Sequence, residues 1–483
     1  MNHLKNIKII KEEKLQSNRF LDSLFNATSL GETQNGAVTY TRSGSSLLDF
    51  YAQAGAMRKN PQGALDLFKK AFSEDQLKAV KILFYLRDVR GGQGERDLFR
   101  ICLEWLGIND KEVFEAIVKY IPEYGRWDDA FFDNEKCFDL IGKQLKKDKK
   151  DENPSLLAKW LPTINASSKI TRAKGQWMAK KLGLEEIAYR LLVRGIRKQI
   201  ATVEEKMSAQ KWSKIDYSAV PSQASRIYKD AFLKHDEKRY GKFIEKAEAG
   251  EVKINAGTLY PYQIYKSVET NYSKTLEALW NQLPDYTQGK NALVVADVSG
   301  SMTGDPIAVS VSLALYFAER NKGQFKDYFI TFSGNPVLQR IQGENLVNKM
   351  NSIERSDWQM NTDLQAVFSL ILNTALANNV SEKEVPETIY IISDMEFDSC
   401  VEGTTNFERM KKMYETAGYK IPNIVFWQVN ASGRNLPVRK DEKGVTMVSG
   451  FSPVIFKLAV EGKNPEELML ETINSKRYEP IKI

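Results

Sequence analysis

Apolar residues recur at three- and four-residue spacing through residues 60–275, a spacing that predicts a run of short amphipathic helices. PQGALDLFKKAFSED, QLKAVKILFYLRDV, ERDLFRICLEWLG and KEVFEAIVKYIPEYG each carry it, and Gly, Pro, Asn and Asp turns separate them. Helix following helix with no strand between them predicts an α-helical repeat domain of packed, HEAT-like helix pairs, although no fixed period emerges. LKKDKKDENP, 145–154, interrupts the run as a polar loop. Near residue 284 the pattern changes. Beyond PDYTQGK, strand-like apolar runs alternate with helices: ALVVADV, PIAVSVSLALYFAERN, FKDYFITFS, DLQAVFSLILNTALANN, ETIYIISDM, NFERMKKMYETAG and NIVFWQVN. Continuous apolar strands alternating with helices predict an α/β doubly wound, Rossmann-like domain with a buried parallel sheet. PVLQRI, following TFSGN, predicts a short edge strand made by a hairpin. The expected domains are therefore 1–284, helical, and 285–483, α/β.

Composition narrows the function. At 483 residues the chain is long enough for two to four domains of about 100–200 residues each. No apolar stretch approaches the roughly 20 residues that span a bilayer, and MNHLKNIKIIKEEKLQ carries charge where a signal peptide has its apolar centre. A cytoplasmic, monomeric protein without membrane contact is expected. Cys102, Cys137 and Cys400 are odd in number and far apart, which offers no disulfide framework or paired-cysteine zinc site and predicts core thiols. With only His3 and His235, a Ser-His-Asp hydrolase and a histidine-rich metal site drop out. The net charge of +7 is uneven: residues 1–290 hold 49 basic and 38 acidic side chains, residues 291–483 hold 20 and 24. That asymmetry points the first part at a polyanion, the alternative being a Lys-rich domain kept soluble by charge.

The chemistry gathers at NALVVADVSGSMTGDP, 291–306. Ligands of open α/β sheets collect at the carboxyl ends of strands. The first strand ends at Asp297-Val298-Ser299-Gly300-Ser301, the IYIIS strand ends at Asp394, and Asn361-Thr362-Asp363 opens a helix. Asp297, Ser299, Ser301, Thr362 and Asp394 are expected to meet at one edge, and every donor among them is oxygen. Such a set suits a hard cation; a small shell completed by water favours Mg²⁺ over Ca²⁺, with Mn²⁺ as the substitute. Ser299 and Ser301 are expected to bind directly, Thr362 directly or through water, and Asp297 and Asp394 through water. An open position would take a partner's carboxylate or a phosphate.

Asp-x-Ser-x-Ser, then a Thr, then a strand-ending Asp resembles the metal-ion-dependent adhesion site of von Willebrand factor A (vWA) domains, over the last 200 residues. Ser393-Asp394-Met395-Glu396 departs from it, since that family often has Thr-Asp-Gly. A second resemblance lies in RDVRGGQGERDLF (87–99), YIPEYGRWDDAF (120–131), KWLPTINA (159–166) and IDYSAVPSQASRIYKDAFLKHDEKRY (215–240). These look like a phage and bacterial family of unknown function related to the Ro/TROVE proteins. The resemblance implies a ring of helical repeats closed by a vWA domain, with single-stranded RNA ends in the ring and small structured RNA on its basic outer face.

Alternatives accompany each motif. The Asp297 loop could be a plain turn in which Ser299 or Ser301 caps the next helix; a phosphoaspartyl transferase would want a second Asp where Ser299 stands. RGGQGER, 90–96, lacks Lys-Ser or Lys-Thr and lies between helices, so it predicts a tight turn ahead of Glu95 and not a phosphate loop. Met395-Glu396-Phe397-Asp398 adds carboxylates beside Asp394, as a two-metal nuclease would, with no general base placed. For RNA, KITRAKGQWMAKKLGLEEIAYRLLVRGIRKQI, 169–200, offers Arg172, Lys174, Lys180, Lys181, Arg190, Arg194, Arg197 and Lys198, with Trp177 or Tyr189 to stack a base; the alternative is a solvated face over buried aromatics. His235 is expected to make a structural hydrogen bond. The sequence thus predicts a non-enzymatic RNA-binding protein whose Mg²⁺ site engages a partner, against a vWA-based protein-interaction scaffold without RNA.

Overall fold

A computed structural model describes residues 29–483 apart from 201, 288, 333–334, 355–361, 400–403, 432, 434 and 459. His3, Asn361 and Cys400 lie outside the described residues. A hairpin comes first, β1 (Leu30–Glu32) with β2 (Val38–Tyr40). Helices follow: α1 (Ser46–Gln53), α2 (Pro61–Glu74), α3 (Gln76–Arg87), α4 (Arg96–Asn109), α5 (Lys111–Ile117), α6 (Ile121–Tyr124), α7 (Glu135–Asp148), α8 (Leu157–Trp160), α9 (Lys169–Lys181), α10 (Glu186–Ile200), α11 (Val203–Ser208), α12 (Ser222–Glu248), α13 (Pro261–Thr270) and α14 (Lys274–Asn281). Then strands and helices alternate: β3 (Ala292–Ala296), α15 (Asp305–Arg320), β4 (Tyr328–Thr331), β5 (Leu338–Arg340), α16 (Leu346–Glu354), α17 (Leu364–Ala377), β6 (Thr388–Ser393), α18 (Asn406–Thr416), β7 (Asn423–Gln428), β8 (Val445–Ser449) and α19 (Pro465–Ile473).

Helix starts follow local capping chemistry. Asn60 accepts from Gly63 N ahead of Pro61, Asp75 from Lys78 N, and Asp110 from Val113 N. The six-stranded sheet has the order β5-β4-β3-β6-β7-β8, parallel except for the β4–β5 hairpin at its edge. β3 is buried along its whole length, as a central parallel strand covered by helices on both faces must be. The alternation beyond residue 284 is thus an α/β fold, and PVLQRI is the edge strand its pattern predicts. The α12 helix is broken at Asp236, whose φ of −148° and ψ of 44° are not helical. His235, expected to hydrogen-bond, instead stacks on Trp212 with ring centroids 4.4 Å apart.

One cluster of buried residues runs from Ala37 to Ile481, so the main core crosses position 284. Helix α1 packs on β8, and α19 packs on α1, α3 and β8. The segment 87–99 supplies much of the joint. Arg87 and Asp129, 2 % and 0 % exposed on their side chains, pair at 2.7 Å, and Arg100 donates to the other Asp129 oxygen at 2.8 Å. Asp88 accepts from Arg477 at 2.8 Å, and Tyr124 donates to the Arg477 carbonyl at 2.7 Å. RGGQGER is accordingly a joint and not a phosphate cradle: Gln93 accepts from Ser452 N, and Glu95 pairs with Arg58. A Cβ on Gly92 would stand 1.8 Å from the Tyr85 carbonyl oxygen, so only glycine fits there. Cys102 and Cys137 are buried thiols, as expected.

A smaller, separate core lies at Ile141, Leu145, Leu157, Ala158, Leu161, Met178, Ala179, Tyr189, Val193 and Ile196. It gathers α7 to α10 into a lobe. Asp129 stands where main body and lobe meet, because Arg126 N also donates to it and Arg126 lies over Trp160 at 4.1 Å. Asp129→Ala would leave two guanidinium groups short of their partner, so a loss of about 3–5 kcal/mol is expected in urea unfolding. A loss under about 1 kcal/mol would show that the buried pair does not hold the joint.

Candidate metal centre and basic lobe

Strand register brings the site together. Ala296 of β3 lies opposite Ile392 of β6, and Asp297 N donates to the Ile392 carbonyl at 3.0 Å, so the two parallel strands end at one level. Asp297, 0 % exposed, accepts from Ser299 N at 2.8 Å and from the Ser393 hydroxyl at 2.6 Å, one bond to each oxygen. The Ser299 and Ser301 hydroxyls lie 3.1 Å apart. Neither caps a helix: no side chain caps the 3-10 turn Gly300–Met302 or the start of α15. Ser301 is exposed and Ser299 nearly buried, so the hydroxyls form the mouth and the carboxylates the floor.

Asp394 completes the floor at 1 % exposure. Its Oδ1 accepts from Glu396 N at 3.1 Å. The Ser301 hydroxyl lies near enough to draw the Asp394 pKa down, yet Oδ2 is buried without a partner of ordinary hydrogen-bond geometry. Burial, opposed by these bonds, still leaves Asp394 above the usual carboxylate range. Burial and then the neighbouring Asp394 charge push Asp297 up to about 6. Two desolvated carboxylates repel each other, and an orphan oxygen costs free energy; one divalent cation would answer both. Among the described residues no three His, Cys, Asp or Glu side chains converge to hold a metal. A cation here would therefore rely on the Ser299 and Ser301 hydroxyls beside Asp394 Oδ2 and Asp297, a hard donor set that fits Mg²⁺ or Mn²⁺. Met395, where the resembled family has Gly, takes the glycine conformation anyway with φ of 66°. Such a residue carries about 1–2 kcal/mol of backbone strain.

Thr362 stands one step away. Its hydroxyl, 1 % exposed as a residue, donates to the Glu396 carbonyl at 2.8 Å and lies 3.2 Å from Asp398 Oδ1. No hydrogen bond among the described residues joins it to Ser299 or Ser301. Asp363 is the α17 cap and accepts from Ala366 N at 2.8 Å. Of the residues that hold Thr362, sequence reasoning missed Asn35 and offered Glu396 and Asp398 only as extra carboxylates beside Asp394. Asn35, at the β1–β2 tip, donates to the Thr362 hydroxyl at 3.2 Å and to the Glu396 carbonyl at 2.7 Å. Glu396, 2 % exposed, accepts from Gln34 N and from Asn435 Nδ2, each at 2.7 Å. Asn430 donates to the Ser301 carbonyl at 2.9 Å. One signal was present: Gln34-Asn35-Gly36 between LGE and VTY is an Asn-Gly hairpin turn, and Gly36 has φ of 80°.

The cations expected to bind RNA divide into two groups. Lys174, Lys180, Lys181, Arg190, Arg194 and Lys198 are exposed on α9 and α10, with Lys181 paired to Asp133. Arg197 turns inward, donating to the Ala158 carbonyl at 2.7 Å and the Leu161 carbonyl at 2.5 Å, and Arg172 donates to the Ala166 carbonyl at 2.8 Å. These two tie the lobe together and are not open cations. Tyr189, 1 % exposed, donates to the Pro162 carbonyl, and Trp177 packs edge-on to Phe138, so neither stands out to stack a base. The lobe nevertheless concentrates charge: residues 141–200 hold 15 Lys and Arg against 5 Asp and Glu, a net of +10 where the whole chain has +7.

Residues 291–480 match a family model described as a domain of unknown function, DUF7788. Residues 33–110 and 138–294 match a second, DUF2828. An uncharacterized protein of Acanthamoeba polyphaga mimivirus is 28 % identical over 510 residues, covering 94 % of this chain and 88 % of that protein. Among solved structures, the Ro (RSR) protein of Deinococcus radiodurans aligns over 88 % of this chain and 93 % of its own, with 11 % identity and a TM-score of 0.34. No helix among the described residues is long and apolar enough to cross a membrane.

Asp394→Asn keeps an acceptor for Glu396 N while removing one of two facing charges. In EDTA this variant is expected to melt about 2–4 °C above the wild type, the effect of roughly 1 kcal/mol, and to lose the Tm rise that millimolar Mg²⁺ gives the wild type. A lower Tm in EDTA, or an undiminished Mg²⁺ response, would remove the two-carboxylate site.

Proposed function

We propose that this protein is a non-enzymatic, Ro/TROVE-like RNA-binding scaffold whose vWA-type Mg²⁺ site engages a partner. The observation that carries the reading is the segregation of charge: a net of +10 within 60 residues, on a lobe with its own core and six exposed cations. Phosphates neutralised there release counterions, and that release supplies most of the affinity for a polyanion. The motifs behind the family resemblance support it as well, because segments 87–99 and 120–131 bond helices to the carboxy-terminal Arg477. The metal site would present a cation behind the exposed Ser301, where a partner's carboxylate or phosphate is the fitting ligand. Floor carboxylates at 0 % and 1 % exposure suit charge support of that cation better than proton transfer to a substrate.

One observation favours a second reading. Ile170, Ile187 and Leu191 are 71 %, 66 % and 56 % exposed on α9 and α10, beside the exposed cations. Basic residues interleaved with open apolar ones also fit an acidic protein surface with an apolar strip.

Salt separates the two. RNA affinity of the full chain, measured by filter binding, is expected to fall at least about 100-fold between 50 and 200 mM salt, and to fall further with Arg190→Glu, Arg194→Glu and Lys198→Glu combined. A flat salt response, or a triple variant that binds RNA as well as the wild type, would leave the protein-partner reading standing. Intact RNA after incubation with protein and Mg²⁺ is expected; degradation would make the site a nuclease.

A further inference from the structure

We propose that the amino-terminal hairpin is a working part of the metal site and that Asn35 is its positioning residue. The inference rests on the metal reading given above, and concerns which residues outside the sheet make the site competent. The hairpin base is held by its own contacts: Tyr40 N donates to the Leu436 carbonyl at 3.0 Å, Leu436 N to the Tyr40 carbonyl at 2.9 Å, and the Thr39 hydroxyl to the Leu436 carbonyl at 3.1 Å. The base thus makes three hydrogen bonds with Leu436 without any group of the tip. The tip spends its polar groups elsewhere, on the two loops that follow β6 and precede α17. The Thr33 hydroxyl donates to the Phe397 carbonyl at 2.8 Å, Gln34 N to Glu396 Oε2 at 2.7 Å, and Ser399 N to the Asn35 carbonyl at 3.3 Å.

Asn35, Thr362 and the Glu396 carbonyl close a triangle. The carbonyl oxygen accepts from both the Asn35 amide and the Thr362 hydroxyl, and the hydroxyl accepts from the same amide. The Glu396 carbonyl at 2.8 Å and the Asp398 carboxylate at 3.2 Å can only accept, so the Thr362 proton points to that side, nearer Glu396, and the Asn35 amide points both its hydrogens inward. Those bonds use the proton and one lone pair of Thr362 and fix the direction of the other. Glu396 follows Asp394 by two residues and gives its N–H to Asp394 Oδ1, so the clamp also sets the carboxylate that carries the orphan oxygen. Partners that orient a metal ligand typically change affinity 10–100-fold when removed.

Manganese titration of the full chain, followed by electron paramagnetic resonance, tests this. Asn35→Ala is expected to weaken Mn²⁺ binding at least about 10-fold, with unchanged far-UV circular dichroism, while Tyr40→Phe, which alters only the hairpin base, binds like the wild type. If Asn35 acts through Thr362, adding Asn35→Ala to Thr362→Val costs little more than Thr362→Val alone; a general loss of packing would add in full. Wild-type affinity in Asn35→Ala, or full additivity with Thr362→Val, overturns the positioning role and leaves the metal site intact. A wild-type chain that takes up no Mn²⁺ overturns both.

Discussion

Two carboxylates, kept from water at the ends of neighbouring parallel strands, constrain everything around them. Strand register leaves Asp297 and Asp394 no choice of level, and burial leaves them little solvent to screen their repulsion. The fold answers in part with donors: Ser299 N and Ser393 for Asp297, and Glu396 N for Asp394. It then stops short, leaving Asp394 Oδ2 without a partner. The Met395 backbone, strained at positive φ, bends the chain so that Glu396 N can reach back to Asp394. Strain and desolvation are concentrated at one sheet edge, and the surrounding core sustains them.

That core explains why the two parts of the chain hold together. Its cluster runs from Ala37 to Ile481, with α1 on β8 and α19 against α1 and α3. The carboxy-terminal segment closes the joint through Arg477 on Asp88 and stacked Tyr124 and Tyr478. Residues 30–40, remote in sequence from the sheet, reach its carboxyl edge because β2 is bridged to Leu436. The sheet edge that carries Asp297 and Asp394 and the helical part are thus built as one body of packed elements.

Much of this was legible in the sequence, and the failures have physical causes. Long periodic segments declared themselves: α2, α3, α4, α15, α17 and α18, strands β3, β4, β6 and β7, and even the β5 edge follow from apolar spacing and turn residues. The Asp-x-Ser-x-Ser loop was visible because a strand must deliver its last side chains to the sheet's carboxyl edge. Missed were β1, β2 and β8, whose three to five residues are too short for periodicity to mark. Asn35 and Asn435 escaped, and Glu396 was seen only as an extra carboxylate, because their roles come from contacts 39 to 361 residues apart, which no local pattern encodes. Arg197 and Arg172 looked like their exposed neighbours, since a helix face read from spacing does not say which cations turn inward to meet carbonyls. Tyr189 was misjudged for the same reason.

The basic lobe and the Asp297–Asp394 edge belong to parts of the chain with separate bonding. Among the described residues no hydrogen bond or ion pair joins 141–200 to 285–483; the lobe meets the body through Arg126 over Trp160, Lys159 on Glu204 and Lys181 on Asp133. From Arg126 a packed route continues through Asp128 and Asp129 to Arg87, and beside it from Asp88 to Arg477. A connected route is not coupling, because coupling requires an element with two arrangements that both ligands bias. The Arg87–Asp129 pair is buried and rigidly bonded, which makes it a poor candidate for such an element. Were a polyanion to bind the lobe and a cation the Asp297–Asp394 edge, as proposed, the two events would add independently, unless one ligand is long enough to touch both. In that case effective concentration, and not a change of shape, links the two events.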